Sequence, residues 1–241
     1  MLITAHAACK GHAPENTLAG IRAALRLKAD SIEIDLHVTR DGTPVLIHDA
    51  TVDRTTDGSG AIAGMSLRKA RTLRIRDGRG RVLSLSKDER IPTLGEVLAA
   101  VDGRAQLVLE VKAEGIEEHV LAVVRRAKAI DWCVVHSFNP KIVERFRTLE
   151  PKLAASYLLG QPVRNWDRFL GFALSLGVQG VSVHEALTTR ERVRATRLRE
   201  LRYTTWTVNK QADVRRVAAA GVDAITTDYP DRVRRWLPKG A

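Results

Sequence analysis

Two carboxylates, Glu33 and Asp35, stand two positions apart in the apolar run Ser31–Leu36. Successive side chains of a β-strand point to opposite faces, so both carboxylates would share one face of a strand. The pattern alone fits either a solvated face or a buried one. Two buried like charges repel each other, and burying each one costs roughly several kcal/mol of desolvation. A positive charge between them offsets this cost. A hard divalent cation such as Mg²⁺ or Ca²⁺ meets that need with oxygen ligands.

The run Ala105–Lys112 repeats the arrangement, with Glu110 followed two residues later by Lys112. Three acids at the ends of two strands could form a carboxylate cage for a metal ion, and Lys112 adds a compact positive charge suited to phosphate. His6 and His48 stand at the ends of two further strand-like runs. Because histidine transfers protons near neutral pH, the whole set predicts metal-assisted chemistry on a phosphate ester.

The chain of 241 residues carries 39 basic and 28 acidic residues, a formal charge of +11. That excess favours anionic partners, which include phosphate esters, anionic lipid surfaces and nucleic acids. The basic run Arg190–Arg199 interleaves with apolar residues at helical spacing, which favours a solvated amphipathic helix over a nucleic-acid surface. No aromatic cluster beside basic residues offers a base-stacking surface. We expect a small-molecule substrate and no nucleic-acid partner, and the sequence leaves the oligomeric state open.

Cys9 and Cys133 lie far apart and in no metal-ligand or redox spacing, so neither a zinc site nor a disulfide framework is indicated. The segment Met1–Ala5 lacks the charged and long apolar regions of a signal peptide, and no run approaches transmembrane length. We therefore expect a cytoplasmic protein without stable membrane insertion.

Strand-like and helix-like segments alternate along the chain. The predicted strands are Leu2–His6, Ser31–Leu36, Ala105–Lys112, Trp132–His136, Leu153–Leu158, Val178–Val183, Tyr203–Val208 and Asp223–Thr227. The predicted helices include Asn16–Leu27, Ile116–Ala129, Pro140–Leu149, Trp166–Leu176, Arg190–Leu201 and Gln211–Ala220, and Thr93–Glu96 has capping-box spacing before another. Strict alternation predicts an α/β fold, a closed (β/α)₈ TIM barrel of parallel strands with crossover helices. A doubly wound open sheet is the alternative, but no glycine-rich phosphate turn follows the first strand.

One stretch interrupts the alternation, from a short extra strand at Thr43–His48 to Pro92. It predicts a small insertion after the second strand, at about residues 50–90. Loops that follow barrel strands lie on the carboxyl-terminal face, where active sites are built, so the insertion should overhang the site. With no linker in the sequence, residues 1–241 are interpreted as one domain.

Several short motifs together resemble the glycerophosphodiester phosphodiesterase family, which belongs to the phosphatidylinositol-phospholipase-C-like phosphodiesterase TIM barrels. Besides the Glu33/Asp35 strand, the matching segments are Ala13–Thr17, Thr39–Gly42, Ile47–Asp49, Asp53–Thr56, Ile91–Leu94, Leu109–Lys112, Thr205–Asn209 and Gly221–Pro230. They occur in the family's order and span nearly the whole chain. Each motif alone is weakly specific, but the series is not.

The resemblance implies a barrel with a small insertion and a divalent cation, Mg²⁺ or Ca²⁺, held by Glu33, Asp35 and Glu110. It implies hydrolysis of glycerophosphodiesters to glycerol 3-phosphate and an alcohol, with His6 and His48 as general acid and base. The nucleophile is either water or the substrate's own glycerol hydroxyl, and the division of labour between the two histidines stays open.

Other candidates carry alternatives. The resemblance favours substrate contact for Glu15, which could instead help to begin the first helix. Trp206 fits either the core or an apolar wall for glycerol, and Asp228 fits either a helix cap or a ligand contact. The histidines outside the predicted pair are expected to be structural or on the surface, although two of them, His136 and His184, stand at or just past strand ends and could face the site.

One position departs from the family pattern. The family has an arginine after the first histidine, a bidentate phosphate ligand, whereas this chain reads His6-Ala7-Ala8. Lys10 could substitute as a point charge. The alternatives are a phosphodiesterase for another substrate, such as a lysophospholipid, and a catalytically silent barrel that binds phosphorylated ligands. Retention of both histidines argues against the silent barrel, and related barrels that act on choline phospholipids also lack the arginine.

Overall fold

A closed barrel of parallel strands organises the computed structural model, which describes residues 1–76 and 89–237. Its strands are β1 Leu2–Ala5, β2 Ser31–Val38, β3 Pro44–Leu46, β4 Gln106–Val111, β5 Cys133–Ser137, β6 Ala154–Leu159, β7 Gly180–His184, β8 Arg202–Trp206 and β9 Ala224–Thr227. All but β3 run parallel, and β1 closes the barrel by pairing with both β2 and β9. Strand β3 pairs antiparallel with the end of β2. The predicted (β/α)₈ barrel is confirmed.

Amphipathic helices cover the outside of the barrel, because each strand also carries apolar side chains that face outward. They are α1 Leu18–Arg26, α2 Leu67–Ala70, α3 Leu94–Val101, α4 Glu117–Arg126, α5 Pro140–Leu149, α6 Trp166–Ser175, α7 Arg190–Arg197, α8 Gln211–Ala220 and α9 Pro230–Trp236. The capping box predicted at Thr93 and Glu96 is present at the start of α3. Each side chain accepts the other residue's backbone N–H, which satisfies two donors that a helix start leaves free.

The first predicted strand ends one residue earlier than expected, and the first predicted helix begins two residues later. Strand β1 stops before His6, because Ala7 and the next two residues take left-handed backbone angles, with φ of 44°, 55° and 71°. Helix α1 begins at Leu18 and not at Asn16, whose φ of 55° is not helical. Thr17 is the cap, since its side chain accepts the backbone N–H of Gly20. The interpretation of Asn16 as a helix start was therefore wrong.

Gly20 fixes the turn after β1 against α1. A β-carbon at this position would stand 1.9 Å from the backbone oxygen of Ala8. Only glycine allows the helix to approach the turn this closely, and that contact holds the loop that carries His6.

A second, smaller hydrophobic cluster lies apart from the barrel core. Its buried members are Val45, Ile47, Val52, Ile62, Ala70, Leu73, Ile75 and Ile91. They come from β3 and the segment after it, which is the predicted insertion; residues 77–88 of that segment lie outside the described residues. Because the cluster begins beside the end of β2, the insertion stands at the carboxyl-terminal end of the barrel. The single-domain interpretation of residues 1–241 stays a prediction.

Candidate active site

Three acids meet at the carboxyl-terminal end of neighbouring strands. Glu33 and Asp35 lie on β2, and Glu110 lies on β4 directly across from Asp35. One carboxylate oxygen from each lies within 4.8 Å of the other two. Glu33 is 5% exposed and Asp35 1% exposed, so the shared face is buried and not solvated.

Lys112 is the cation that the protein itself places in this cluster. Its Nζ lies 2.8 Å from Asp35 Oδ1 and also forms an ion pair with Glu110. Asn16 donates from Nδ2 to Asp35 Oδ2 over 2.7 Å, and accepts the backbone N–H of Asp35 over 3.0 Å. The left-handed backbone of Asn16 therefore serves the site.

Glu33 is held differently. Its Oε2 accepts the backbone N–H of Ala7 over 2.7 Å, whereas its buried Oε1 has no hydrogen-bond partner among the described residues. Burial raises the pKa of Glu33 well above its usual range, and the charges of Asp35 and Glu110 raise it further. Burial likewise raises the pKa of Glu110, although Lys112 opposes the shift. Burial also disfavours charge on Asp35, but the Lys112 ammonium outweighs it and lowers the pKa of that carboxyl.

The donor set fits a hard divalent cation. It offers carboxylate oxygens only, which are the ligands that Mg²⁺ and Ca²⁺ prefer. The unpartnered Oε1 of Glu33 supplies the observation that favours a cation here, because a buried carboxylate oxygen without a partner is costly. One lysine does not balance the charge of three ionised acids, and a divalent ion would supply the positive charge that their ionised forms need. The donor set does not choose between the two metals.

His6 follows β1 and is held by a carboxylate. Its Nδ1 lies 2.7 Å from Asp228 Oδ1, and Asn209 donates to the other oxygen of Asp228 over 2.8 Å. Burial alone would raise the pKa of Asp228, but the hydrogen bond from His6 and the nearby charges lower it. An ionised carboxylate only accepts, so Nδ1 of His6 carries the shared proton and Nε2 is left to exchange a proton with a molecule in the pocket.

His48 has its own carboxylate on the insertion side of the pocket. Its Nδ1 lies 2.7 Å from Asp49 Oδ1. Arg54 donates to Asp49 over 2.6 and 3.1 Å, and to both oxygens of Glu15 over 2.7 and 2.8 Å. These hydrogen bonds from Arg54 lower the pKa of Asp49 to about 2. The chain Glu15–Arg54–Asp49–His48 thus ties the loop after β1 to the insertion and fixes the ring of His48.

A cavity of about 210 Å³ joins these groups. It is lined on one side by both histidines, the three acids and Lys112, and on the other side by Phe138, Leu158 and Trp206. The rings of Phe138 and Trp206 meet edge to face with centroids 5.5 Å apart. Trp206 thus lines the cavity, and its contact with glycerol stays a prediction.

His136, Ser182 and Thr226 also line this cavity, from β5, β7 and β9. Burial lowers the pKa of His136 to about 4, so the ring is neutral at pH 7. His136 is thus the member of the remaining histidines that the structure places most clearly in the site. Its position at the end of a predicted strand was the available signal.

Two predicted contact residues lie outside the cavity lining. The carboxylate of Glu15 is bound to Arg54, and Lys10 Nζ lies 3.8 Å from Asp228 Oδ1. Their contact with substrate stays a prediction. Sequence reasoning missed Arg54 and the role of Asn209, although both stand within motifs of the resemblance, because Glu15 and Asp228 lie 39 and 19 positions from them.

Comparison with known proteins agrees with this geometry. The family model described as "Glycerophosphoryl diester phosphodiesterase family" matches residues 6–232. A glycerophosphodiester phosphodiesterase of Caldanaerobacter subterraneus subsp. tengcongensis is 31% identical over 99% of this chain and 98% of its own length.

Solved structures give the same result. A phosphodiesterase of Oleispira antarctica, solved in complex with the product sn-glycerol-3-phosphate, superposes with a TM-score of 0.85 at 27% identity, over 98% of this chain and 96% of that one. A glycerophosphodiester phosphodiesterase of Agrobacterium tumefaciens superposes with a TM-score of 0.83 at 25% identity, over 98% and 99% of the two chains.

Proposed function

Because the chain belongs to the glycerophosphoryl diester phosphodiesterase family, we propose that it hydrolyses glycerophosphodiesters to glycerol 3-phosphate and an alcohol and depends on a divalent cation. The observation that carries the proposal is that His6, His48 and the three-acid cluster all line one pocket. A site that only binds phosphate has no need of two proton carriers, each held by its own carboxylate.

Glu33, Asp35 and Glu110 would hold the cation. Bound there, it would place positive charge against the non-bridging oxygens of the phosphodiester, where negative charge builds up as the nucleophile attacks. Lys112 lines the same pocket and supports that charge neutralisation from the protein side.

The two histidines divide the proton transfers. One removes a proton from the nucleophile as its oxygen attacks phosphorus. The other donates a proton to the alcohol oxygen as the bond between that oxygen and phosphorus breaks. Attack by water gives glycerol 3-phosphate directly, whereas attack by the substrate's own glycerol hydroxyl gives a cyclic phosphate that water opens in a second step. Asp228 and Asp49 hold the rings through Nδ1, and within residues 1–76 and 89–237 no group bonds Nε2, so both histidines can exchange protons without turning.

With alanine at position 7, the two histidines, the three acids and Lys112 still line one pocket. The backbone N–H of Ala7 takes part in the site by donating to Glu33. Lys10, near the carboxylate of Asp228, is the proposed source of the positive charge that the arginine supplies elsewhere in the family. The rival proposal is a silent barrel that binds phosphorylated ligands, and the loss of the arginine is the observation that favours it.

Release of glycerol 3-phosphate from a panel of glycerophosphodiesters tests the proposal. We expect release by the purified protein, loss of release on chelation, and recovery with Mg²⁺ or Ca²⁺. His6→Ala and His48→Ala should each lower kcat by about 10²–10⁴, the usual effect of losing a general acid or base. His119→Ala, at an exposed position on α4, is the matched control and should keep full activity. Binding of glycerol 3-phosphate without hydrolysis of any diester would favour the silent barrel.

Membrane insertion, cellular location and nucleic-acid binding are properties outside the pocket. Over residues 1–76 and 89–237, the structure contains no helix long and apolar enough to span a bilayer. The cytoplasmic location, roles in glycerol and lipid metabolism, and the absence of a nucleic-acid partner are kept as proposals. Cell fractionation and binding assays with nucleic acid would test them.

A further inference from the structure

His136 lines the pocket from inside the barrel and has no hydrogen-bond partner in the part of the chain that the structure describes. It lies on β5, in register with Glu110 on one side and Ser156 on the other. The residue is 9% exposed, and its ring has no hydrogen bond to any residue of the described chain. Because the ring lines the pocket, its nitrogens are open to hydrogen bonds with a molecule that enters the pocket.

The space around the ring explains why no protein group reaches it. A second cavity of about 270 Å³ lies in the amino-terminal half of the barrel, and His136 and Thr226 line both cavities. Bulky branched residues usually fill the interior of such barrels. Here the wall includes small hydroxyl side chains, namely Thr4, Ser31, Ser156 and Thr204. The ring therefore has open volume towards both ends of the barrel.

The donor and the acceptor nitrogen of the ring determine which groups it can bind. A neutral imidazole has one N–H donor and one acceptor nitrogen, which match a hydroxyl group. Phosphate oxygens are better matched on the other side of the pocket, where Lys112 and the predicted cation lie. Ser182 and Thr226, also buried, add two hydroxyls beside His136. The pocket thus has a charged side for the phosphate and a neutral polar floor.

We propose that His136 is a specificity-determining residue that hydrogen-bonds a hydroxyl of the substrate's glycerol moiety, so that the site selects phosphodiesters with a polyol end. The inference rests on the proposed function. In this arrangement the glycerol end points into the barrel, and the alcohol to be released points outward past Phe138 and Trp206.

The test compares two diesters in wild type, His136→Phe and His136→Gln. Glycerophosphocholine carries the glycerol hydroxyls, and bis(p-nitrophenyl) phosphate lacks them. We expect His136→Phe to lower kcat/KM for glycerophosphocholine by about tenfold or more, equivalent to about 1.4 kcal/mol. Activity on bis(p-nitrophenyl) phosphate should stay within about twofold of wild type. His136→Gln, which keeps a donor and an acceptor, should recover most of the loss.

Inhibitors provide a second measurement. Glycerol 3-phosphate should inhibit His136→Phe more weakly by a similar factor, whereas inorganic phosphate should inhibit both proteins equally. His119→Phe is the matched control for the substitution itself. Equal losses on both diesters, or no loss on either, would overturn the assignment of His136.

Failure of the proposed function gives a different pattern. In that case wild type itself releases no glycerol 3-phosphate from any glycerophosphodiester. Calorimetric binding of glycerol 3-phosphate and of inorganic phosphate then tests His136, and equal affinities in wild type and His136→Phe would refute its role. If His136→Phe does not fold, as judged by its thermal melt, His136→Leu takes its place, and His136→Gln stays the conservative comparison.

Discussion

Replacing Lys112 by methionine should destabilise the cation-free protein strongly. Methionine keeps the unbranched stem but removes the ammonium that pairs with Asp35 and Glu110. The two acids and Glu33 would then be three buried carboxylates without a neighbouring cation. Removing one partner of a buried ion pair costs about 3–5 kcal/mol, because the other charge is left uncompensated. In a protein of this size, that corresponds to a fall in Tm of about 6–20 °C.

The deficit should depend on pH. Burial already raises the pKa of Glu33 and of Glu110 in the folded protein, and loss of the ammonium raises both further. A carboxyl whose folded pKa lies above its unfolded value contributes stability at low pH and loses it as pH rises between the two values. Lys112→Met should therefore be closer to wild type at pH 5 than at pH 8.

Urea unfolding in the presence of a chelator measures this effect, followed by titration with Mg²⁺ and Ca²⁺. A cation at 100 times its Kd stabilises a protein by about 2.7 kcal/mol. Saturating ion should therefore bring Lys112→Met back towards the stability of the cation-free wild type. Lys69→Met, at an exposed position on α2, is the control and should change the free energy of unfolding by less than about 0.5 kcal/mol. A deficit below about 1 kcal/mol for Lys112→Met, or one that does not vary with pH, would refute the reasoning.

Three other predictions concern Arg54, Thr17 and His136. Arg54→Met removes the charge-assisted hydrogen bonds that hold Asp49 beside His48. Because exposed charge pairs are each worth about 1 kcal/mol or less, the substitution should lower kcat/KM by up to about tenfold while cation affinity by calorimetry stays unchanged; a parallel loss of cation affinity would contradict it. Thr17→Ala removes the cap of α1 and should lower the free energy of unfolding in urea by about 0.5–2 kcal/mol, and an unchanged midpoint would argue against the cap. Because the pKa of His136 falls to about 4 on folding, wild type should lose about 1.6 kcal/mol more stability than His136→Gln between pH 6.5 and pH 5. Equal pH slopes in the two proteins would show that the ring is not held neutral.

The acids of the site could be predicted because they depend on local periodicity. Glu33 and Asp35 share a face in any strand, and the apolar residues around them indicated burial. The repeat of the pattern at Glu110 and Lys112 then placed two strands side by side, as the register between β2 and β4 confirms. The barrel followed from the same alternation of segments along the chain.

The groups that hold these residues could not be predicted, because they depend on chain segments that meet only in the folded protein. Arg54 reaches Glu15 from 39 positions away, and Asn16 reaches Asp35 from a left-handed backbone that no pattern of hydrophobicity encodes. The predicted helix Asn16–Leu27 placed Asn16 at a helix start, where asparagine is common as a cap. The isolation of His136 depends on the small size of its neighbours around the barrel, which appears only when all strands are in register.

The insertion's separate hydrophobic cluster divides the site between two cooperative units. His48 and Arg54 belong to the segment built on that small cluster, whereas His6 and the carboxylates are anchored in or beside the barrel strands. Proteins open in parts, and units with small cores open at lower free energy than the main core. Mild denaturant should therefore unfold the segment that carries His48 while the cation ligands on the barrel strands stay in place. Turnover would then cease at a lower urea concentration than cation binding, and amide hydrogens of β3 would exchange before those of β2.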